Sequence, residues 1–317
     1  MRAAHLHRLG SPDVIRFGEF AEPDPGPTDV LVQVRATTVN PVDTFVRSGL
    51  FETPLPMPFV VGRDLTGTVL STGPGATAFR PGDPVWCNSL GHDGRQGAAA
   101  ERAVVSIDRL YRLPPSVAPE QAVTVLHPAA TAYLALFTHG RLRAGETVVV
   151  AGAAGNVGAA AVTMAAEAGA RVVAVASAAD AEYCTTLGAD EVLDYRDPDL
   201  RPVRPDLYLD TSGHNDLPAV LDTLAFRGRI VVMSGANAHP VLPVAALYMH
   251  DRSITGFVIS HATTAELAEA AAAVNRHLAA GHLRSRATLD LPLSETAEVH
   301  RMLERGDLHG RRVVLHP

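Results

Sequence analysis

Thr147-Val148-Val149-Val150-Ala151-Gly152-Ala153-Ala154-Gly155-Asn156-Val157-Gly158 is the stretch that decides the fold. Residues 147–151 read as a strand buried in a parallel sheet, because the valine run leaves no polar face. Ala159-Ala160-Ala161-Val162-Thr163-Met164-Ala165-Ala166 reads as a helix. Strand, tight glycine turn and helix together make a dinucleotide site. The small residues let the backbone approach a pyrophosphate, and the helix start offers free N–H groups and a positive dipole end. A glycine-rich turn without a ligand is the alternative. Against it stands a second strand at Arg171–Ala176, at the expected distance of about 20 residues.

Outward from this turn, strands and helices alternate between 147 and 259, with Gly145, Gly169, Gly188, Gly213 and Gly228 at the connections. This alternation predicts a doubly wound parallel sheet, an α/β Rossmann domain, with the site at the carboxyl ends of its strands. Before it, short apolar runs such as Val30–Ala36, Leu65–Ser71 and Ala98–Val105 are separated by dense Pro and Gly, which predicts a β-rich domain. Glu120–His139 reads as helical, broken or kinked at Pro128. Thr263-Thr264-Ala265-Glu266 is a capping box that opens a long Ala-rich helix closed by Gly281. The expected division is 1–119 with 262–317 as one domain and 120–261 as the other. A bound cofactor would face its substrate in the cleft between these lobes.

The 317 residues carry a net charge of −7 and are 47% hydrophobic and 19% charged, which suits a soluble protein and argues against a nucleic-acid partner. No run of 18 apolar residues and no signal-peptide core appear, so a cytoplasmic location is expected and a membrane partner is not. Two cysteines, Cys87 and Cys184, fit a reducing compartment. All 27 basic residues are arginine, so lysine Schiff-base chemistry is excluded.

Further motifs carry a resemblance. They are Val39-Asn40-Pro41-Val42-Asp43-Thr44-Phe45-Val46-Arg47-Ser48-Gly49, Val61-Gly62-Arg63-Asp64-Leu65-Thr66-Gly67, Gly97-Ala98-Ala99-Ala100-Glu101, Thr131-Ala132-Tyr133, Asp194-Tyr195-Arg196 and Gly310-Arg311-Arg312-Val313-Val314-Leu315. With the glycine turn, they make the chain resemble the medium-chain dehydrogenase/reductase superfamily. Within it, the chain is similar to the zinc-independent quinone oxidoreductases related to zeta-crystallin. The resemblance implies a GroES-like catalytic domain beside the Rossmann domain, hydride transfer from a nicotinamide cofactor, and a homodimer or homotetramer.

The resemblance places Asn40 and Arg63 where zinc-dependent relatives have Cys and His. Zinc prefers Cys and His in tetrahedral sets, and a buried arginine would repel the cation, so no metal is expected. The end of the second strand, Val175-Ala176-Ser177, lacks the acid that would bind a ribose 2′-hydroxyl. Ala176 cannot repel a 2′-phosphate and Ser177 can donate to one, which favours NADPH. Asp180 and Glu182 are expected to face solvent at a helix start. The cofactor-binding candidates are Thr131, Gly152, Ala153, Ala154, Gly155, Asn156, Val157, Gly158, Ser177, Tyr195, Arg196, Ser234, Gly235, Phe257 and Val258. The resemblance implies that Tyr195 lines the adenosine phosphate pocket and Thr131 approaches the nicotinamide. It also implies that backbone groups at 234–235 and 257–258 hold the carboxamide.

Asn40 and Asp43 are the catalytic candidates on the resemblance, although Asn40, Pro41 and Asp43 also form a well-capped helix start. Phe45 and Phe51 stand where relatives often have tyrosines, which removes two phenolic proton donors and leaves an apolar pocket for a flat quinone or enone. His127 could line that pocket or simply be a core residue. The expected activity is NADPH-dependent reduction of quinones or α,β-unsaturated carbonyl compounds. A pathway-specific enoyl or enone reductase and a non-catalytic NADPH-binding regulatory protein are the alternatives. The loop Asn88–Gln96 has no legible conformation.

Overall fold

A computed structural model describes residues 1–197, 203–214 and 216–317. The chain forms two compact units, Met1–His127 with Leu267–Pro317, and Pro128–Glu266. The sequence-based division at 119/120 and 261/262 sits a few residues before each of these junctions. Among the described residues no helix is long and apolar enough to cross a membrane.

Among the described residues, the second unit is built on six parallel strands. In spatial order they are Glu191–Asp194, Arg171–Ala176, Thr147–Ala151, Leu207–Asp210, Arg229–Val232 and Ser253–Gly256. Chain order reverses beside the central strand Thr147–Ala151, which makes its carboxyl end the switch point where such sheets bind ligands. Val148, Val150, Val172, Val173, Leu207 and Ile230 are fully buried in it. Each contributes about 1.5–3 kcal/mol by leaving water. Helix Asn156–Glu167 starts directly from the glycine turn, with Gly155 as its N-cap. The strand expected over 253–259 ends at Gly256, and Ile259–His261 forms a short 3-10 turn.

The first unit holds a seven-stranded and a three-stranded sheet. Strand Asp29–Thr37 is central in the larger one and pairs with Leu65–Thr72, Arg102–Ser106 and the C-terminal strand Arg312–His316. The last segment thus returns to the β-rich half, and Thr288–Pro292 extends the sheet beside it. Helix Thr264–Ala279 leads the chain back. Thr263 Oγ1 accepts from the Glu266 N–H at 3.2 Å, and the Glu266 carboxylate accepts from the Thr263 N–H at 2.8 Å, the expected capping box.

Pro128 does not break the helix that contains it. It lies in the first turn of Leu126–Tyr133, where a missing N–H costs nothing. The interruption comes earlier, after Pro119–Val123. Beyond Tyr133 the chain widens into a π-helical stretch, Leu134–His139, with the Gly140 N–H donating to Ala135 O at 2.8 Å. Turns of this kind recur at functional sites.

Candidate active site

The glycine turn meets the demands of a phosphate cradle. Gly152 has φ +78, and a Cβ there would lie 2.7 Å from Thr211 Oγ1. A Cβ on Gly158 would lie 2.2 Å from Gly152 O, so the first helical turn packs against the loop only as glycine. Thr211 Oγ1 donates to Ala151 O at 2.7 Å and fastens the neighbouring strand end to the turn. Gly213, the next glycine along, approaches Ser234 and Gly235 closely. Gly152–Gly158, Ser234 and Gly235 therefore assemble at the carboxyl edge of one sheet. Phe257 and Val258 follow the last strand at the same edge, and the Phe257 ring stacks on His139 at 4.3 Å with 22° between planes. Thr131 is buried on the helix Leu126–Tyr133.

At the end of strand Arg171–Ala176, the Tyr195 N–H donates to Ala176 O at 3.2 Å, which brings Tyr195 and Arg196 beside Ala176 and Ser177. Arg196 lies over the exposed Tyr195 ring, its Cζ 5.0 Å from the centroid, and its Nη2 donates to the phenol oxygen at 2.9 Å. This cation–aromatic pair suits a phosphate monoester. One expectation fails here. Asp180 does not face solvent: it is 4% exposed and accepts from Ser177 Oγ at 2.7 Å. A short 3-10 turn, Ala178–Asp180, folds its carboxylate back onto the serine, while Glu182 remains exposed.

The first unit concentrates its buried charge around the start of helix Pro41–Ser48. Asn40 is its N-cap, and the Asn40 N–H donates to Asp43 Oδ2 at 2.7 Å. The Asn40 amide faces away from the helix. Its Oδ1 accepts from Arg312 Nη2 at 2.8 Å and its Nδ2 donates to Asp64 Oδ2 at 3.2 Å. Arg312 also donates to Thr124 O, Val39 O and Thr38 Oγ1. Arg63, 1% exposed, stands 3.8 Å from Asp43 Oδ1 through Nε and 3.2 Å from His92 Nδ1 through Nη1. Its Nε and Nη2 make no hydrogen bond among the described residues. The Phe51 ring lies 6.0 Å from the guanidinium carbon, whereas Phe45 is 38% exposed on the helix. His127 Nδ1 lies 3.4 Å from Asn88 O and 3.6 Å from Asp64 Oδ1.

These neighbours displace the acids and the imidazole from their ordinary ranges. Burial pushes Asp43 up to about 6 against the pull of Arg63. Burial and then the Asp43 charge push Asp64 up to about 8. Burial, then Arg63, push His127 down to about 3. Among the described residues, no group of three His, Cys, Asp or Glu side chains could hold a metal ion.

The sequence reading reached Asn40, Asp43, Phe51 and His127, and it placed Arg63 but assigned it no partner. It did not reach Asp64 or Arg312 as site residues. Both lie inside the quoted motifs, and a charged residue within an apolar strand run was the available signal. The loop Asn88–Gln96 closes on Gly91, whose N–H donates to Gln96 O at 3.1 Å, and it delivers His92 to Arg63.

Comparison with known proteins supplies the family context. Residues 26–115 match the model of the alcohol dehydrogenase GroES-like domain, and residues 156–276 match that of the zinc-binding dehydrogenases. The human quinone oxidoreductase is 29% identical over 316 residues, with 96% of this chain and 94% of that protein covered. A solved NAD-dependent alcohol dehydrogenase is 31% identical over the whole of both chains, with a TM-score of 0.88. A mycobacterial protein solved in complex with NADPH is 29% identical, again over the whole of both chains, with a TM-score of 0.85.

Proposed function

The chain belongs to the quinone oxidoreductase family of medium-chain dehydrogenases/reductases, and from that premise we propose that it reduces quinones or α,β-unsaturated carbonyl compounds with NADPH and without zinc. It is an oxidoreductase. The observation that carries the cofactor is the glycine cradle at the switch point, closed to any Cβ at Gly152 and Gly158. Residues 152–158 and the N-terminus of helix Asn156–Glu167 would hold the pyrophosphate. Arg196 and Tyr195, beside Ala176, would hold the 2′-phosphate. When bound, the cofactor supplies a hydride and the protein orients the acceptor.

The metal-free reading is supported by the guanidinium of Arg63. A fixed positive charge occupies the place the resemblance gives to a zinc ligand, with Asp43 and His92 turned to it. Arg63 Nε and Nη2 offer two buried donors for the oxygen that gains negative charge in the reduction. Phe51 beside them offers an apolar wall for a flat acceptor.

NADPH and NADH oxidation against a panel of quinones and enones, before and after chelator treatment, tests this reading. Turnover with NADPH that survives chelation is expected; a stoichiometric zinc whose removal abolishes turnover would overturn it. Ala176→Asp is expected to reverse the cofactor preference, measured by calorimetric titration of both nucleotides, because a carboxylate there repels the 2′-phosphate.

The assembly we propose is a homodimer. Among the described residues, Ser253–Gly256 ends its sheet with one edge unpaired, and Val241, Val244, Tyr248 and Met249 on the segment leading into it are exposed. Light scattering at micromolar concentration is expected to give twice the chain mass, and Thr255→Pro to lower it.

A further inference from the structure

We infer that Asp180 sets the cofactor specificity: through Ser177 it gives the nucleotide site an acceptor for a ribose 2′-hydroxyl, so that the protein takes NADH as well as NADPH. The proposal deepens the cofactor reading above and rests on it. Every residue it uses, from Ala176 to Asp180 and from Asp194 to Arg196, belongs to the second unit. A serine hydroxyl has one proton to give and two lone pairs that accept. Ser177 Oγ gives its proton to Asp180 Oδ2 at 2.7 Å. It therefore presents lone pairs, not a donor, to a ligand at the end of strand Arg171–Ala176. A ribose 2′-hydroxyl can donate to those lone pairs. A 2′-phosphate offers acceptor oxygens and finds no donor in Ser177 while the pair stands. From sequence Ser177 reads as a donor to the phosphate; the turn commits that proton to Asp180 instead.

Local structure holds this pair in place. The 3-10 turn Ala178–Asp180 starts from Ser177, and the Asp180 N–H donates back to Ser177 O at 2.9 Å. Asp194 ties the turn to the neighbouring strand. Its Oδ2 accepts from the Ala178 N–H at 3.3 Å and its Oδ1 from the Arg196 N–H at 3.0 Å. Ala176 and Asp194 are partners in register, and the Tyr195 N–H donates to Ala176 O. Ser177 and Arg196 therefore leave the ends of adjacent strands side by side.

Two recognition elements thus share one strand edge. Arg196, exposed and lying over the Tyr195 ring, offers a cation to a 2′-phosphate. Ser177, backed by Asp180, offers an acceptor to a 2′-hydroxyl. An atom hydrogen-bonded to Ser177 Oγ lies at most two bond lengths, about 6 Å, from the Asp180 carboxylate. At that range the acid that prepares Ser177 for the hydroxyl also opposes the charge of the phosphate. Asp180 is buried, so salt screens this opposition less than it would between surface charges. Asp180 is a positioning residue toward the hydroxyl and a repelling one toward the phosphate.

Calorimetric titration of the cofactor-free protein with NADPH and with NADH reads the ratio of the two affinities and needs no turnover. In the native protein the two dissociation constants are expected to agree within about tenfold. Asp180→Asn keeps the size of the group and an acceptor for the Ser177 hydroxyl but removes the charge. It is expected to move the ratio about tenfold toward NADPH. Ser177→Ala removes the acceptor itself and is expected to weaken NADH about fivefold, moving the ratio the same way. Arg196→Leu is expected to move it toward NADH by about tenfold or more. A turn that had merely loosened would weaken both nucleotides alike. An unmoved ratio in Asp180→Asn therefore overturns the assignment, and if that variant does not fold, an unmoved ratio in Ser177→Ala overturns it. A native preference for NADPH above about 1000-fold overturns this inference alone. Binding of neither nucleotide by the folded native protein overturns the cofactor reading and this inference with it.

Discussion

Arg312 and Arg47 are both buried in the first unit, and the chain treats them differently. Arg312 donates to three backbone or hydroxyl oxygens and then to Asn40, which leads on to Asp64 and from there to His127. Arg47 donates to Gly10 O at 2.7 Å and to Glu304, and the connection stops there. Its Nε makes no hydrogen bond among the described residues. His300 nearby has no exposed surface, and among the described residues neither of its ring nitrogens is hydrogen-bonded. One short helix, Pro41–Ser48, carries both regions, with Asn40 and Asp43 at its start and Arg47 at its end. The difference teaches what linkage contributes. In the first region each polar group fixes the orientation of the next, which a reacting site needs. In the second the imidazole is only insulated, and burial, then the Arg47 charge, drive it down to about 3.

The largest effect that would sharpen this contrast is Arg312→Leu. It removes the cation from a region that keeps Asp43 and Asp64 buried, and a loss of about 3–5 kcal/mol in denaturant unfolding is expected. A loss below about 1 kcal/mol would show that the network is not held from the last strand.

Next comes the response to acid, where the two regions have opposite signs. Unfolded His300 takes up a proton below about 6.5, while the folded residue resists it down to about 3. Its contribution is therefore intact above pH 6.5 and is lost as the pH falls toward 3. By linkage this amounts to about 3 kcal/mol at pH 4. His300→Leu is expected to flatten the fall of Tm between pH 6.5 and 4 without lowering Tm at pH 7. Asp64 holds its proton up to about 8 when folded and releases it near 3.8 when unfolded, so its contribution is lost as the pH rises between those values. Asp64→Asn is expected to raise Tm at pH 8, which would mark the native acid as kept at a cost in stability.

The smallest effect is expected from Glu304→Gln. Glu304 is partly exposed, with 39% of its side-chain surface in solvent, and Arg47 keeps Gly10 O, so about 1 kcal/mol in denaturant unfolding is expected. A loss as large as that of Arg312→Leu would erase the distinction between the two regions.

The sequence showed the parallel sheet clearly, because the valines of 147–151 and the glycines after them obey local rules of burial and turn geometry. It showed the capping of helix Pro41–Ser48 for the same reason. The partners of that helix were not legible. Asp64 and Arg312 lie 248 positions apart in the chain, and only the return of the last strand to the first unit brings Arg312 to Asn40. From sequence Asp180 reads as a solvent-facing acid, because helix-start acids usually are. A single 3-10 turn reversed that, and no local propensity announces it. Pro128 reads as a helix breaker from sequence, because its place in the first turn depends on where the helix begins.

The π-helical stretch Leu134–His139 behaves as a one-residue insertion lodged inside a helix. Removing one residue there would let the segment wind as ordinary α-helix and turn everything after it by about 100°. His127 and Thr131 precede the insertion and would keep their directions. His139 follows it and would swing off the Phe257 ring. A single codon deletion would thus separate the two ends of this helix, leaving the His127 end intact while dismantling the stacking at the other.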